Sequence, residues 1–116
     1  MTVTSQETQL ELERIVQQIA QALEPEQIIL FGSRARGDHR SDSDADLLIV
    51  VADGSGDPAE LATRALRAAS GRRLPLDIIV YPHSDFAQSL AWQHDVVIYA
   101  VEEGKVVYES QHSSMA

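Results

Sequence analysis

The sequence predicts one α/β domain, and three observations carry that reading. Short runs of branched apolar residues at 27–31, 45–51 and 74–81 have strand composition. Two stretches, 4–23 and 57–70, repeat apolar residues at helical spacing instead. Gly and Pro punctuate the boundaries between the two kinds of run. A chain of 116 residues, 44% hydrophobic, forms a modest single core. A single domain over 1–110 and a disordered tail at 111–116 are therefore expected.

Each element has its own grounds. Thr4-Ser5-Gln6-Glu7 reads as a capping box, and Leu12, Ile15, Val16, Ile19 and Leu23 then fall on one helical face before Pro25 closes the helix. Gln27–Phe31 suits a buried strand that ends at Gly32. The polar stretch after it holds room for one helical turn at Arg34 to Arg36, and Ala45–Val51 is the next strand. Asp57, Pro58 and Glu60 form a helix start, Leu61, Ala62, Ala65, Leu66 and Ala69 its buried stripe, and Gly71 its stop. A third strand is read at 74–81. Ser84 is read as the cap of a helix through Leu90. Segment 95–101 suits strand by propensity and helix by periodicity, and helix through about Glu102 is favoured. Gly104 breaks it, and 106–108 is a short last strand.

Composition narrows the function. The formal charge is -9, and Lys105 is the single lysine. A surface so acidic lacks the basic footprint of a nucleic-acid binder. Without cysteine, neither a disulfide scaffold nor a thiolate metal site is available. Glu7, Glu11 and Glu13 stand where a signal peptide needs positive charge, and no apolar run approaches membrane-spanning length. The expectation is a soluble cytoplasmic protein without a membrane or nucleic-acid partner.

The chemistry concentrates in the stretch that begins Gly32-Ser33 and ends Asp44-Ala45-Asp46. Side chains alternate along a strand, so Asp44 and Asp46 share a face, and two carboxylates held that close call for cations. Asp77 interrupts an apolar run, where a buried carboxylate is costly unless paired or metal-bound. If its strand lies beside 45–51, Asp77 completes a cluster suited to magnesium. Gly32 lets backbone approach a ligand, Ser33 adds a hydroxyl, and a helical turn starting there directs N–H groups at an anion. A nucleoside triphosphate laid on that turn, with its α-phosphate between two metal ions, gives nucleotidyl transfer. Two other motifs fail on their letters. Gly32 and Gly37 have P-loop spacing, but Asp38-His39 follows instead of Lys and Ser/Thr; Asp42, Ser43 and Asp44 open like an EF-hand, but Leu47 replaces its turn glycine.

These residues resemble the nucleotidyltransferases of the polymerase-β superfamily, in particular its minimal, antitoxin-like branch. The family pattern is Gly-Ser, ten residues, Asp-x-Asp and a later acidic residue, matched here by Gly32-Ser33, residues 34–43, Asp44-Ala45-Asp46 and Asp77. The resemblance implies a small fold with a mixed sheet and helices against it, with magnesium, two ions, and ATP as substrate. It implies that Asp44 and Asp46 ligate metal. Asp77 would share in that and receive the acceptor proton, Gly32 and Ser33 would hold the β- and γ-phosphates, and Arg36 would contact phosphate. It further implies an antitoxin that transfers AMP from ATP to a tyrosine of a HEPN-type ribonuclease toxin. A chain this short leaves no domain to hold a small acceptor, and its acidity suits a basic partner surface. The alternatives are an antitoxin that acts by masking alone, and nucleotidyl transfer to a small molecule.

Other residues have plainer readings. Asp38 and Asp42 read as solvated loop residues, and His39 as an exposed loop histidine. Arg34 and Arg40 read as balancing local acids, and Arg64, Arg67, Arg72 and Arg73 as a solvated face. His83, His94 and His112 lack ligand spacing. Trp92, Tyr99 and Tyr108 read as core or partner-contact residues.

Overall fold

The computed structural model describes residues 5–37, 44–93 and 95–110, with Ser5 and Asp95 described by backbone alone. The elements run α1 (Ser5–Leu23), β1 (Gln27–Phe31), α2 (Ser33–Arg36), β2 (Ala45–Val51), α3 (Pro58–Ala68), β3 (Leu76–Pro82), α4 (His83–Ala91), α5 (Asp95–Glu103) and β4 (Lys105–Glu109). The expected cap at Thr4, the loop residues Asp38, His39, Arg40 and Asp42, and the tail 111–116 lie outside the described residues.

The four strands form one mixed sheet in the order β3-β2-β1-β4. β1 is antiparallel to both β2 and β4, whereas β3 runs parallel to β2. A parallel neighbour needs a crossover, and α3 supplies it. Asp57 caps α3 by accepting from the Glu60 amide at 3.2 Å, with Pro58 in the first turn as the sequence suggests.

Alternation along the strands sends side chains into two cores. Ala45, Leu47, Ile49 and Val51 of β2 join Ile28 and Leu30 of β1 beneath α1 and α3, packed on Ile15, Ile19, Leu61 and Ala65. The intervening Leu48 and Val50, with Ile29, meet Val97 and Ala100 of α5 on the other face. Both faces are covered, which is why β2 reads as a continuous apolar run after Asp46. Glu11 ties α1 to the entry of β3 by accepting from the Leu74 amide at 2.7 Å.

Several boundaries and roles differ from the sequence reading. β3 begins at Leu76, two residues later than expected, because Pro75 lies before the ladder; its carbonyl instead accepts from the Ala45 amide at 2.9 Å. Segment 95–103 is helix, since burying Val97 and Ala100 against the sheet outweighs the small helical disadvantage of its β-branched residues. The helical region is broken, however, into α4 and α5 near Gln93, whose φ is 56°. Ser84 does not cap α4: Pro82 occupies the cap position, and Ser84 donates through both amide and hydroxyl to Asp53 Oδ1 at 3.0 and 3.0 Å. Arg34 is buried. Arg72 reaches back to the Leu66 and Ala69 carbonyls at 3.3 and 3.3 Å, closing α3 instead of facing solvent. Trp92 is 74% exposed and so is not core, whereas Tyr108 packs on the larger core. Gly104 is required by close approach: a Cβ there would meet the Leu30 carbonyl and the Ile29 side chain at 2.8 and 2.8 Å. Among the described residues no helix is long and apolar enough to cross a membrane.

Candidate active site

The candidate residues meet at one end of the sheet. β1 ends at Phe31, and Gly32 turns the chain into α2 with φ 78° and ψ -157°. That φ favours glycine, and the space demands it as well: a Cβ would collide with Oδ2 of Asp46 and lie 3.2 Å from its Cγ. The turn is then closed by the Ala35 and Arg36 amides, which donate to the Gly32 carbonyl at 3.1 and 3.1 Å. Ser33 is the first residue of α2. The backbone of the Gly-Ser turn therefore lies directly against the Asp46 carboxylate.

Strand register brings in the other acids. Asp46 opposes Phe31 on one side and Asp77 on the other. The side chains of Asp46 and Asp77 consequently share the face on which Leu48, Val50 and Tyr81 meet α4 and α5. Asp44, just before β2, has the same parity as Asp46. β3 proves to be an edge strand with Asp77 exposed, contrary to the buried carboxylate expected from its apolar neighbours. Desolvation is thus not what makes Asp77 notable; its register opposite Asp46 is.

Electrostatics reflects this crowding. Burial pushes the Asp46 carboxyl above its ordinary range, and the charges of Asp77 and then Asp44 push it the same way. Arg36 opposes them by favouring the ionised form. The Arg36 guanidinium lies 5.8 Å from the centre of the Tyr99 ring, which itself meets Phe31 edge-on with centroids 6.4 Å apart. Phe31, Arg36 and Tyr99 thus form a border to the acids.

Carboxylates are hard oxygen donors of the kind a divalent cation such as magnesium takes. Asp44, Asp46 and Asp77 are the residues that would hold it. Among the described residues no three His, Cys, Asp or Glu side chains converge as a finished cage. The strand register juxtaposes Asp46 and Asp77. Tyr99, read from the sequence as a core or partner-contact residue, stands at this border through contacts with residues distant in the chain.

The four-stranded mixed sheet with helices packed on both faces matches a nucleotidyltransferase-like fold. The chain belongs to the nucleotidyltransferase domain family, whose sequence profile matches residues 11–108. No curated protein matches it closely enough to count as a relative. Solved structures do share its fold. One is a Sulfolobus solfataricus protein described as a nucleotidyltransferase, with 22% identity over 88% of this chain and 80% of that one, and a TM-score of 0.61. A toxin–antitoxin structure with AMP-PNP has 21% identity, covers 89% of this chain and 77% of the other, and has a TM-score of 0.54. A mutant of the toxin–antitoxin MntA–HpeT, in which two aspartates two positions apart become glutamate, has 19% identity, coverage of 89% and 77%, and a TM-score of 0.53. At these identities the likeness is one of fold.

Proposed function

We propose that this chain is the antitoxin of a toxin–antitoxin pair and that it transfers AMP from ATP to a tyrosine of a HEPN-type ribonuclease toxin. The observation that carries the reading is the register: Asp46 and Asp77 are directly paired on adjacent strands, and the Gly32-Ser33 turn lies against Asp46. Two neighbouring toxin–antitoxin structures support a toxin as the partner, one holding the nucleotide analogue AMP-PNP and one altered at an aspartate pair with the spacing of Asp44 and Asp46.

The residues divide the work. Gly32 and Ser33 hold the β- and γ-phosphates against the start of α2, and Arg36 adds a positive contact to them. Asp44, Asp46 and Asp77 would hold magnesium, as two ions, which would supply activation of the attacking oxygen and stabilisation of the departing pyrophosphate. The tyrosine oxygen forms a bond to the α-phosphorus, the bond from that phosphorus to the bridging oxygen breaks, and pyrophosphate leaves. Asp77, exposed at the edge of the sheet, receives the phenolic proton. An edge position leaves room for a side chain presented by another protein. Substituting Asp44→Asn together with Asp46→Asn is expected to preserve the circular dichroism spectrum while label transfer from [α-32P]ATP to a co-purified HEPN-type partner falls to background. Undiminished transfer would refute the proposal.

One observation favours a second reading, neutralisation by binding alone: the three acids do not converge as a finished cage. The intact mass of the partner after co-expression separates the two, since masking adds no nucleotide mass.

A further inference from the structure

We propose that Tyr99, on α5, is a positioning residue for the nucleotide site: its ring holds the Arg36 guanidinium at the border of the acid cluster, where Arg36 meets the triphosphate. This rests on the nucleotide site described above and adds a residue to it from the opposite layer of the fold. The supporting chain of contacts is continuous. Asp46 is in register with Phe31, the Phe31 ring meets the Tyr99 ring at an interplanar angle of 86°, and Arg36 stands over the Tyr99 face at 5.8 Å. Edge-to-face contact is a preferred arrangement of an aromatic pair. With Phe31 at the end of β1, Tyr99 turns its face to the cation.

The placement answers a physical problem. An arginine at the end of a four-residue helix has a long, flexible side chain, and its charge acts on the Asp46 carboxylate. Its charge serves a triphosphate when the guanidinium is kept within reach of the phosphates. A ring face attracts the guanidinium without neutralising it and without supplying a competing anion. Tyr99 is 36% exposed, so the pair lies where a ligand can reach it. The hydroxyl has no part in this arrangement; the aromatic face carries it.

The test measures binding of magnesium AMP-PNP by calorimetry, with no turnover required. Tyr99→Leu keeps the apolar bulk and removes the ring, and should weaken binding roughly two- to five-fold, the size expected of an exposed cation–π contact. Tyr99→Phe keeps the ring and should bind like wild type. In an Arg36→Ala background, adding Tyr99→Leu should cause no further loss, because the ring acts only through the guanidinium. Equal binding by wild type and the Leu and Phe variants overturns the positioning role, as does a full additional loss in the Arg36→Ala background. Should wild type itself fail to bind the analogue, the nucleotide site falls and this role with it. Melting temperatures of all variants, measured alongside, separate lost binding from lost folding.

Discussion

The two ends of β2 place a carboxylate in opposite circumstances. Asp46, near its start, is half-buried among Asp77 and Asp44, and its carboxyl is held above the ordinary range. Asp53, just past its end, accepts two hydrogen bonds from Ser84, amide first and hydroxyl second, and these hold its carboxyl below that range. One strand thus carries an acid whose charge the fold satisfies and an acid whose charge the fold aggravates. The satisfied one joins the β2–α3 loop to the start of α4. The aggravated one is the acid at which the proposed function places a cation.

The largest expected effect comes from attacking the closest approach at the aggravated end. Gly32→Ala imposes a Cβ on a φ of 78° and drives it into the Asp46 carboxylate. The backbone strain alone costs about 1–3 kcal/mol, and the displaced carboxylate should abolish detectable AMP-PNP binding. Gly37→Ala is the control, since it has φ 86° but nothing within 4 Å of the added atom. It should lower stability by a similar strain and retain most binding. Equal binding losses in the two variants would show that contact between the turn and Asp46 is not what the site requires.

A smaller effect separates the ends by sign. The folded value of Asp46 lies above its unfolded one, so its favourable contribution is complete below the ordinary value of 3.8 and is lost as pH rises through the raised value. Asp53 lies below its unfolded value, so its contribution is present above 3.8 and disappears as pH falls through the lowered value. At pH 7 in EDTA, Asp46→Asn should therefore raise the melting temperature and Asp53→Ala should lower it. Magnesium should then stabilise wild type more than Asp46→Asn. A lower melting temperature for Asp46→Asn in EDTA would show that its charge is compensated in the metal-free fold.

The same contrast explains what was legible in the sequence. β1 and β2 were evident from their apolar runs, and Gly32, Asp44 and Asp46 from a spacing that is local to one turn and one strand. Asp77 was legible as an acid in a strand, but its exposure was not, because Leu76 and Ile78 look alike in an edge strand and a central one. For 95–103, branched residues argued strand while their spacing argued helix, and packing on Leu48 and Val50 decided it. The Asp53–Ser84 contact spans 31 residues and left no local signal; Ser84 looked like a cap because serine is a common one. Tyr99 was hidden similarly. Its partners come from β1 and α2, and nothing near it in sequence marks an approach to the acids.

The smallest predicted effect also belongs to the satisfied end. His83 opens α4, and its Nδ1 lies 2.6 Å from Oε1 of Glu26, the residue preceding β1. The hydrogen bond to Glu26, and then its charge, raise the imidazole above 6.5. Protonation is thus favoured more in the folded chain than in the unfolded one. The contribution is complete below 6.5 and is lost as pH rises through the raised value. Both groups are solvent-accessible, with side chains 59% and 29% exposed, so solvent screens the pair and the shift in melting temperature should be slight. Wild type should melt higher than His83→Gln below pH 6.5, and the two curves should converge toward alkaline pH. A salt titration sharpens the comparison, because screening weakens an exposed pair more than a crowded, partly buried cluster. Added sodium chloride should erase the His83 difference while leaving the sign of the Asp46→Asn effect unchanged. If the His83 difference survives high salt undiminished, the contact with Glu26 acts through packing rather than charge.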